Sequence, residues 1–414
     1  MKNIDLAIIG GGPAGLAAAV KAKEMGIKDV VVFERDSFPG GILKQCIHNG
    51  FGLEIFNEEL SGPEYAERYI KKAKEVNVDI ELNSMVVELN SNKEITVISP
   101  YNGYNEYRCK SIILSMGCRE RPRGATDIAG TRPAGVYTAG HAQRLINIEG
   151  IMPGKKAIIF GSGDIGMIMA RRLTLEGAKV EAVLARRSYA NGLTRNIVQC
   201  LNDYNIPLYL KTGIIEIYGK SRVEGVAIVE YDEQLNPLPN TERYIECDTI
   251  LLSVGLIPEN ELTKMTGLKM DYKTGGPCIN NWFETEIPGL FTCGNVVHVN
   301  DIVDNASREA EIAATGAYNR LNNIINNNCS ITVEYSEKTI SQIIPHNIVN
   351  LDYDLDINFR VKKPMGKNVV RVGCCFEKKY PFQRPAEMIR ITIPKEVLKD
   401  MGREKTIKVI CEEI

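Results

Sequence analysis

The pattern strand, glycine turn, helix, strand occurs twice in this chain, about 150 residues apart. The first copy runs from Asp5 to Arg35, with Gly10, Gly12 and Gly15 forming G-x-G-x-x-G directly after the apolar run Leu6 to Ile9. Gly10 permits a tight turn, Gly12 lets a pyrophosphate approach the backbone, and Gly15 lets helix and strand pack closely. A helix beginning near Pro13 would offer its free N–H groups and its dipole to that anion. Glu34 closes the second strand nineteen residues after Gly15, where a carboxylate can take a ribose hydroxyl. A glycine turn without a ligand is the plain alternative. It leaves the register of strand, helix, second strand and acid without a reason.

The second copy has a strand at Ala157 to Phe160, then Gly161, Gly163 and Gly166, a helix over Asp164 to Glu176, and a strand over Lys179 to Leu184. Nineteen residues after Gly166 stands Ala185, followed by Arg186 and Arg187. An NAD site usually places an acid there. Paired guanidiniums without a carboxylate suit a 2′-phosphate instead. The spacing predicts a preference for NADPH, with NADH possible. Two solvated surface arginines are the plain alternative.

With 414 residues, 44% hydrophobic and 25% charged, the chain is long enough for two or three domains. A net charge of -2 excludes any general pull toward nucleic acid or membrane. The run Leu6 to Val20 is uncharged, but Asp5 precedes it and no cleavage pattern follows. No stretch is long and apolar enough to span a membrane, so a cytoplasmic protein is expected. The eleven cysteines are odd in number and contain no C-x-x-C. That favours reduced thiols and argues against a zinc ribbon, a thioredoxin-type dithiol and a self-contained iron–sulfur cluster. With four histidines, no metal site is expected.

Along the chain, Phe38 to Gly41 reads as a turn and Ile42 to Gly52 as a loop rich in reactive groups. Ser61 and Glu64 form a capping box opening a helix to about Val76. Asp79 to Lys110 reads as a β-meander turning at Asn102-Gly103, and Ser111 to Gly117 as a separate buried strand. Arg119, Arg121, Pro122, Arg123 and Gly124 make a stiff basic connector. Strands recur from Leu208 to Asp248, and Ile250 to Gly255 closes the second unit as Ser111 to Gly117 closes the first. Pro288 to Asn295 reads as a strand ending in a glycine turn, Asn305 to about Asn326 as a helix, and Val333 to Ile414 as a small β-leaning domain. The expected organisation is α/β. Two Rossmann-like dinucleotide-binding domains, the second inserted in the first, precede a small β-rich C-terminal domain. The expected bounds are 1–124, 125–256, 257–330 and 331–414.

This order resembles the pyridine nucleotide–disulfide oxidoreductase superfamily over residues 1 to about 328. Both fingerprints carry the resemblance, with SMG, SVGLIPEN and GLFTCGN. It implies FAD at the first fingerprint and NAD(P)H at the second. The FAD set is then Gly10, Gly12, Pro13, Ala14, Gly15, Glu34, Arg35, Gly41, Gln45, Gly117, Gly294 and Asn295. The NAD(P)H set is Gly161, Gly163, Asp164, Ile165, Gly166, Arg186, Arg187 and Gly255. The segments GGILKQCIHNGFG, GCRERPRGA, TRPAGVYTAG, GLTRNIVQCL and CGNVVHVNDIVD resemble more closely the FAD-dependent oxidoreductases related to the flavin subunits of glycerol-3-phosphate, proline and sarcosine dehydrogenases and of hydrogen cyanide synthase. That likeness implies a second redox subunit or electron-transfer protein as partner, and an oligomeric assembly.

The chain also departs from these patterns. Asn295 stands where the superfamily usually has aspartate. The lost charge should raise the flavin's potential slightly. Thioredoxin reductases carry a similar Arg-Arg, but their third arginine falls at Asn191. Many members of the closer group carry an acid where this chain has Ala185. The C-terminal segment looks unlike the dimerisation domain of the disulfide reductases.

Cys46 follows Gly40-Gly41, where the disulfide reductases keep a redox pair, and its partner cysteine is missing. It could tune the flavin, form a mixed disulfide or sulfenic acid, or line the pocket. The resemblance places His48 and His298 near the flavin ring, where a histidine can move a proton or simply hold structure. These three are the candidate catalytic residues. Lys44, Gln45 and Asp301 are weaker candidates, Cys374-Cys375 reads as reduced packing cysteines, and Cys118 and Arg119 read as structural. The expected function is electron transfer between NAD(P)H and a partner redox protein or subunit through FAD. One alternative is the flavin subunit of a glycerol-3-phosphate or amino-acid dehydrogenase whose second nucleotide site has no redox duty. Another is a non-catalytic nucleotide-binding scaffold.

Overall fold

Leu6, Ala7, Ile8 and Ile9 point alternately to opposite faces, yet all four are buried. Their strand must therefore lie inside a sheet covered on both sides. In the computed structural model, which describes residues 1–324 and 329–414, this strand, β1, spans Lys2–Ile9. It pairs in parallel with β2 (Val30–Phe33) on one side and with Gly103–Leu114 on the other. Asp79–Glu81 extends the sheet beyond β2, and Glu94–Ser99 and Met85–Leu89 extend it at the opposite edge.

The strand Gly103–Leu114 is unbroken, which corrects the division expected between Lys110 and Ser111. Its first half pairs antiparallel with Glu94–Ser99 and its second half parallel with Leu290–Thr292. Burial alternates through Tyr107 and Cys109, then becomes continuous over Ser111–Leu114. The covering of the second face changes there; the backbone does not. Asp79–Glu81 is likewise a parallel member of the nucleotide sheet rather than part of the meander.

Helix α1 (Pro13–Glu24) buries Ala14, Ala17, Ala18, Ala19 and Ala22. These small side chains let it approach the late helix Val303–Leu321, which buries Ala306, Ala310, Ala313, Ala314 and Ala317. The late helix starts two residues before the expected Asn305. Its expected end, Asn326, lies outside the described residues. Helix α2 (Gly62–Glu75) opens on the expected capping box: the Ser61 amide and hydroxyl donate to Glu64 Oε2 at 2.8 and 2.7 Å.

The chain divides into two compact units, Met1–Cys118 with Pro258–Ile414, and Arg119–Ile257. In the second unit, Val136–Thr138, Thr249–Leu252, Lys156–Phe160, Lys179–Leu184 and Leu208–Tyr209 form a parallel sheet in that order. Beside it stands a four-stranded sheet built on Thr212–Tyr218 and Gly225–Glu230. Residues from Ile331 onward make two further sheets around their own core of Ile340, Ile357, Phe359, Val370 and Ile407, within the first unit. Among the described residues, no helix is long and apolar enough to cross a membrane.

Candidate functional site

Three separate segments meet at the N-terminus of α1. Gly12 caps this helix with an extended backbone and no side-chain cap, and the first turn holds no acid. A Cβ on Gly12 would meet nothing within 4 Å. Its outer face is therefore open, and nearby N–H groups are available to a pyrophosphate. A Cβ on Gly41 would lie 3.0 Å from the Gly12 Cα, and one on Gly294 would lie 3.0 Å from the Ala14 Cβ. So the loop after β2 and the late glycine turn both press against the first fingerprint. Gly10 sits at φ +104°, and a Cβ on Gly15 would collide with the Gly10 carbonyl oxygen. Gly117, at φ +74°, also faces open space. Glycines that leave a cradle beside an uncapped helix end fit the phosphates of FAD.

Glu34 is buried at the end of β2. Its Oε2 accepts from Gly11 N at 2.6 Å and its Oε1 from Asp36 N at 2.8 Å. Both oxygens are held in place and keep a lone pair for a ribose hydroxyl. Pro13 opens the helix, and Arg35 is exposed.

The late turn Gly294–Val296 is braced from behind by a residue the sequence reading missed, Glu309 on the late helix. Its Oε2 accepts from Gly294 N at 3.0 Å and from Asn300 Nδ2 at 3.2 Å. Its Oε1 lies 2.6 Å from His298 Nε2. Glu309 and His298 are 3% and 1% exposed. The ring nitrogen that could move a proton at His298 is thus held by a buried carboxylate. Asn295 Oδ1 accepts from Asn300 N at 2.9 Å, while its Nδ2 lies 3.5 Å from Cys118 Sγ. Asp301 pairs with Arg360 at 2.6 Å and accepts from Met388 N at 2.7 Å. Those bonds tie the turn to the C-terminal sheets rather than offering Asp301 to a substrate. Asp304, also missed, accepts from Gly52 N and Ile55 N at 3.0 Å each and pins the loop that carries His48.

Cys46 and Gln45 are both buried on the first side of that loop. A Cβ on Gly62 would lie 2.8 Å from the Cys46 Cβ, so the start of α2 presses on this thiol. Burial pushes the Cys46 thiol up to about 12, and Sγ lies 3.3 Å from the Ile42 carbonyl it can donate to. Cys46 therefore stays protonated near neutral pH, which argues against a nucleophilic thiolate. Cys46→Ser, which can keep that hydrogen bond, should retain steady-state NAD(P)H turnover within about twofold. A loss of about tenfold or more would return Cys46 to the chemistry. His48 is half-buried, with Nδ1 3.1 Å from the Asn49 carbonyl and its ring 5.0 Å from Phe51. Lys44 donates to the Phe38 carbonyl at 3.1 Å and pairs loosely with Asp36.

The second fingerprint repeats the first in its backbone. Gly161 sits at φ +111°, and Gly163 caps the helix Asp164–Leu175 without a side-chain cap. Asp164 Oδ1 accepts from Leu193 N at 2.8 Å and from Asn196 Nδ2 at 2.5 Å. Ser162 Oγ accepts from Asn191 N at 3.1 Å. The fingerprint thus fixes the loop that follows Arg186 and Arg187, and Asn191 stands inside that brace. Ile165 is half-buried beside Asp164, while Gly255, at φ +105°, faces open space.

The two arginines differ. Arg186 lies between the rings of Phe160 and Tyr231, at 5.2 and 5.4 Å, and its buried Nε has no acceptor. Arg187 is exposed, 6.0 Å from the Tyr189 ring.

Two serines complete the repeat. Ser115 Oγ donates to the Ile9 and Gly10 carbonyls at 2.9 and 3.0 Å, and Ser253 Oγ accepts from Gly166 N at 3.1 Å. The matching SMG and SVG strand ends were the available signal for them. No such signal existed for Glu309, whose partners are set only by the fold.

Two dinucleotide cradles in one chain define a class of two-nucleotide oxidoreductases. The family model for pyridine nucleotide-disulphide oxidoreductases matches residues 4–310, and the chain belongs to that family. It is an oxidoreductase whose cofactors are FAD and NAD(P)H. It is 24% identical over 319 residues to hydrogen cyanide synthase subunit HcnB of Pseudomonas protegens, covering 71% of this chain and 66% of that one. It is 25% identical over 307 residues to the CoA-dependent NAD(P)H sulfur oxidoreductase of Pyrococcus abyssi, covering 72% of this chain and 63% of the relative. The chain thus spans about two thirds of the length of these relatives. Its fold is similar to the crystal structure of T. acidophilum thioredoxin reductase. That match has a TM-score of 0.64 and 23% identity, and covers 78% of this chain and all of the other.

Proposed function

We propose that this chain passes electrons between NAD(P)H and a partner redox protein or subunit. The observation that carries this reading is Cys46: buried, its thiol pushed up by that burial, and without a second cysteine in its loop. Electrons on the flavin then have no neighbouring dithiol to enter and must leave for another molecule. The name of HcnB, a subunit of a larger enzyme, supports a protein partner.

Electron-pair transfer between nicotinamide and isoalloxazine is the cofactors' own chemistry. The protein's part is to bind and orient. Gly12 and the first turn of α1 receive the FAD pyrophosphate, Glu34 receives the ribose, and Glu309 with His298 holds the Gly294 turn rigid. His298 is then a positioning residue. His48 remains the proton carrier candidate among the three. In the second unit Arg187 reads the coenzyme's 2′-phosphate.

Anaerobic mixing with NADPH tests the reading. Rapid bleaching of the bound flavin is expected. Bleaching only by glycerol phosphate or an amino acid, with a partner subunit present, would establish a substrate dehydrogenase whose second nucleotide site has no redox duty. A purified protein that never holds flavin would make it a scaffold.

A further inference from the structure

Cys374 and Cys375 fill the turn between the strands Asn368–Val372 and Phe376–Tyr380. Val372 pairs with Phe376, so the turn consists of Gly373, Cys374 and Cys375 alone. Gly373 takes φ +55°, and its N–H donates to the Lys408 carbonyl at 3.0 Å on the neighbouring strand Thr406–Glu413. A hairpin on one side and a third strand on the other hold both Cα atoms. Both side chains are exposed, whereas the remaining cysteines are buried or half-buried. The expectation of packing cysteines is therefore corrected: neither side chain has a core to fill. Their sulfur atoms are in direct contact.

We propose that Cys374 and Cys375 form a redox-active dithiol that takes small-molecule disulfides as its substrate. Hydrogen bonds to Cys375 and Glu404 raise the Cys374 thiol, and the exposed Cys375 is the attacking sulfur. The Cys375 thiolate forms a bond to one sulfur of the disulfide. The substrate's S–S bond breaks, and the first small thiol leaves with the proton that Cys375 gave up. Cys374 then loses its proton and attacks the Cys375 sulfur of the mixed disulfide. The second small thiol leaves with that proton. Two protein thiols are oxidised to one disulfide, and one small disulfide is reduced to two thiols. The oxidised pair returns to the dithiol by exchange with a small dithiol reductant, which is oxidised in its place, so the reaction needs no electrons from the flavin and stands apart from the electron-transfer reading.

The test uses the full-length holoprotein and oxidised glutathione, followed by peptide mass mapping. Wild type should lose both exposed thiols and yield a Cys374–Cys375 bridge without retained glutathione, reversed by a dithiol reductant. Cys374→Ser should instead keep one glutathione on Cys375. Before oxidation, wild type should bind phenylarsine oxide, which grips paired thiols, and each single serine variant should not. NAD(P)H turnover should be unchanged in both variants, which reports intact folding. A stable glutathione adduct on wild type would overturn the proposal. So would absence of reaction at both residues, or arsenical binding that survives in the single variants.

Discussion

Glu309→Ala should strip flavin from this protein. The substitution leaves two buried donors, Gly294 N–H and the His298 ring, without their acceptor. Leaving a buried donor without its acceptor costs about 1–3 kcal/mol. The damage falls on the late turn, whose Gly294 sits against Ala14 at the start of α1. FAD affinity should drop by at least about tenfold, equivalent to ~1.4 kcal/mol, and the first unit should unfold at lower temperature. Glu309→Gln separates bracing from charge. Its carbonyl can still accept from Gly294 N–H, and its amide can donate to the other tautomer of His298. Most flavin retention should return in that variant. The checks are the flavin-to-protein absorbance ratio after desalting and a thermal melt with and without added FAD. Wild-type flavin content and melting in Glu309→Ala would remove Glu309 from the site.

What the sequence could and could not say about this site follows from the range of each interaction. The turns at Gly10 and Gly161 take positive φ inside one strand–turn–helix unit, so spacing located them, although Ser115 and Ser253 pack on them from distant strands. Glu34 was placed for the same reason, because it ends a strand of the same βαβ unit. His298 stood out as a histidine beside a glycine turn, but its duty depends on a helix that folds back over that turn. Periodicity says that Glu309 is helical and says nothing of what it faces. Cys46 is similar: its place after Gly40-Gly41 was visible, whereas its burial comes from the close approach of Gly62. The long strand Gly103–Leu114 misled the reading because the apolar pattern changes at Ser111, where both faces of the strand become buried. Cys374-Cys375 misled it in the opposite sense, since a cysteine in a β-rich segment reads as core until the turn is located.

Arg187→Ala should lower kcat/KM for NADPH by about 10- to 100-fold, the value of a charge-assisted hydrogen bond of ~1.5–3 kcal/mol, and leave NADH within about twofold. The expectation rests on the unequal surroundings of the two arginines. Arg187 is exposed, and the proposed contact to the 2′-phosphate is assigned to it. Arg186 is sandwiched by Phe160 and Tyr231, with the Gly213 backbone beneath it: a Cβ there would lie 3.1 Å from the Arg186 Cγ. Arg186→Ala removes packing as well as charge. It should lower the melting temperature and impair both coenzymes together. Arg187→Ala should leave melting unchanged and act on one coenzyme. Because an exposed guanidinium is screened by salt, the NADPH advantage of wild type should shrink as ionic strength rises, and Arg187→Ala should lose that dependence. Steady-state kinetics with both coenzymes at two salt concentrations separates these outcomes. Wild type turning over NADH at least as efficiently as NADPH would end the assignment, and so would equal losses for both coenzymes in Arg187→Ala.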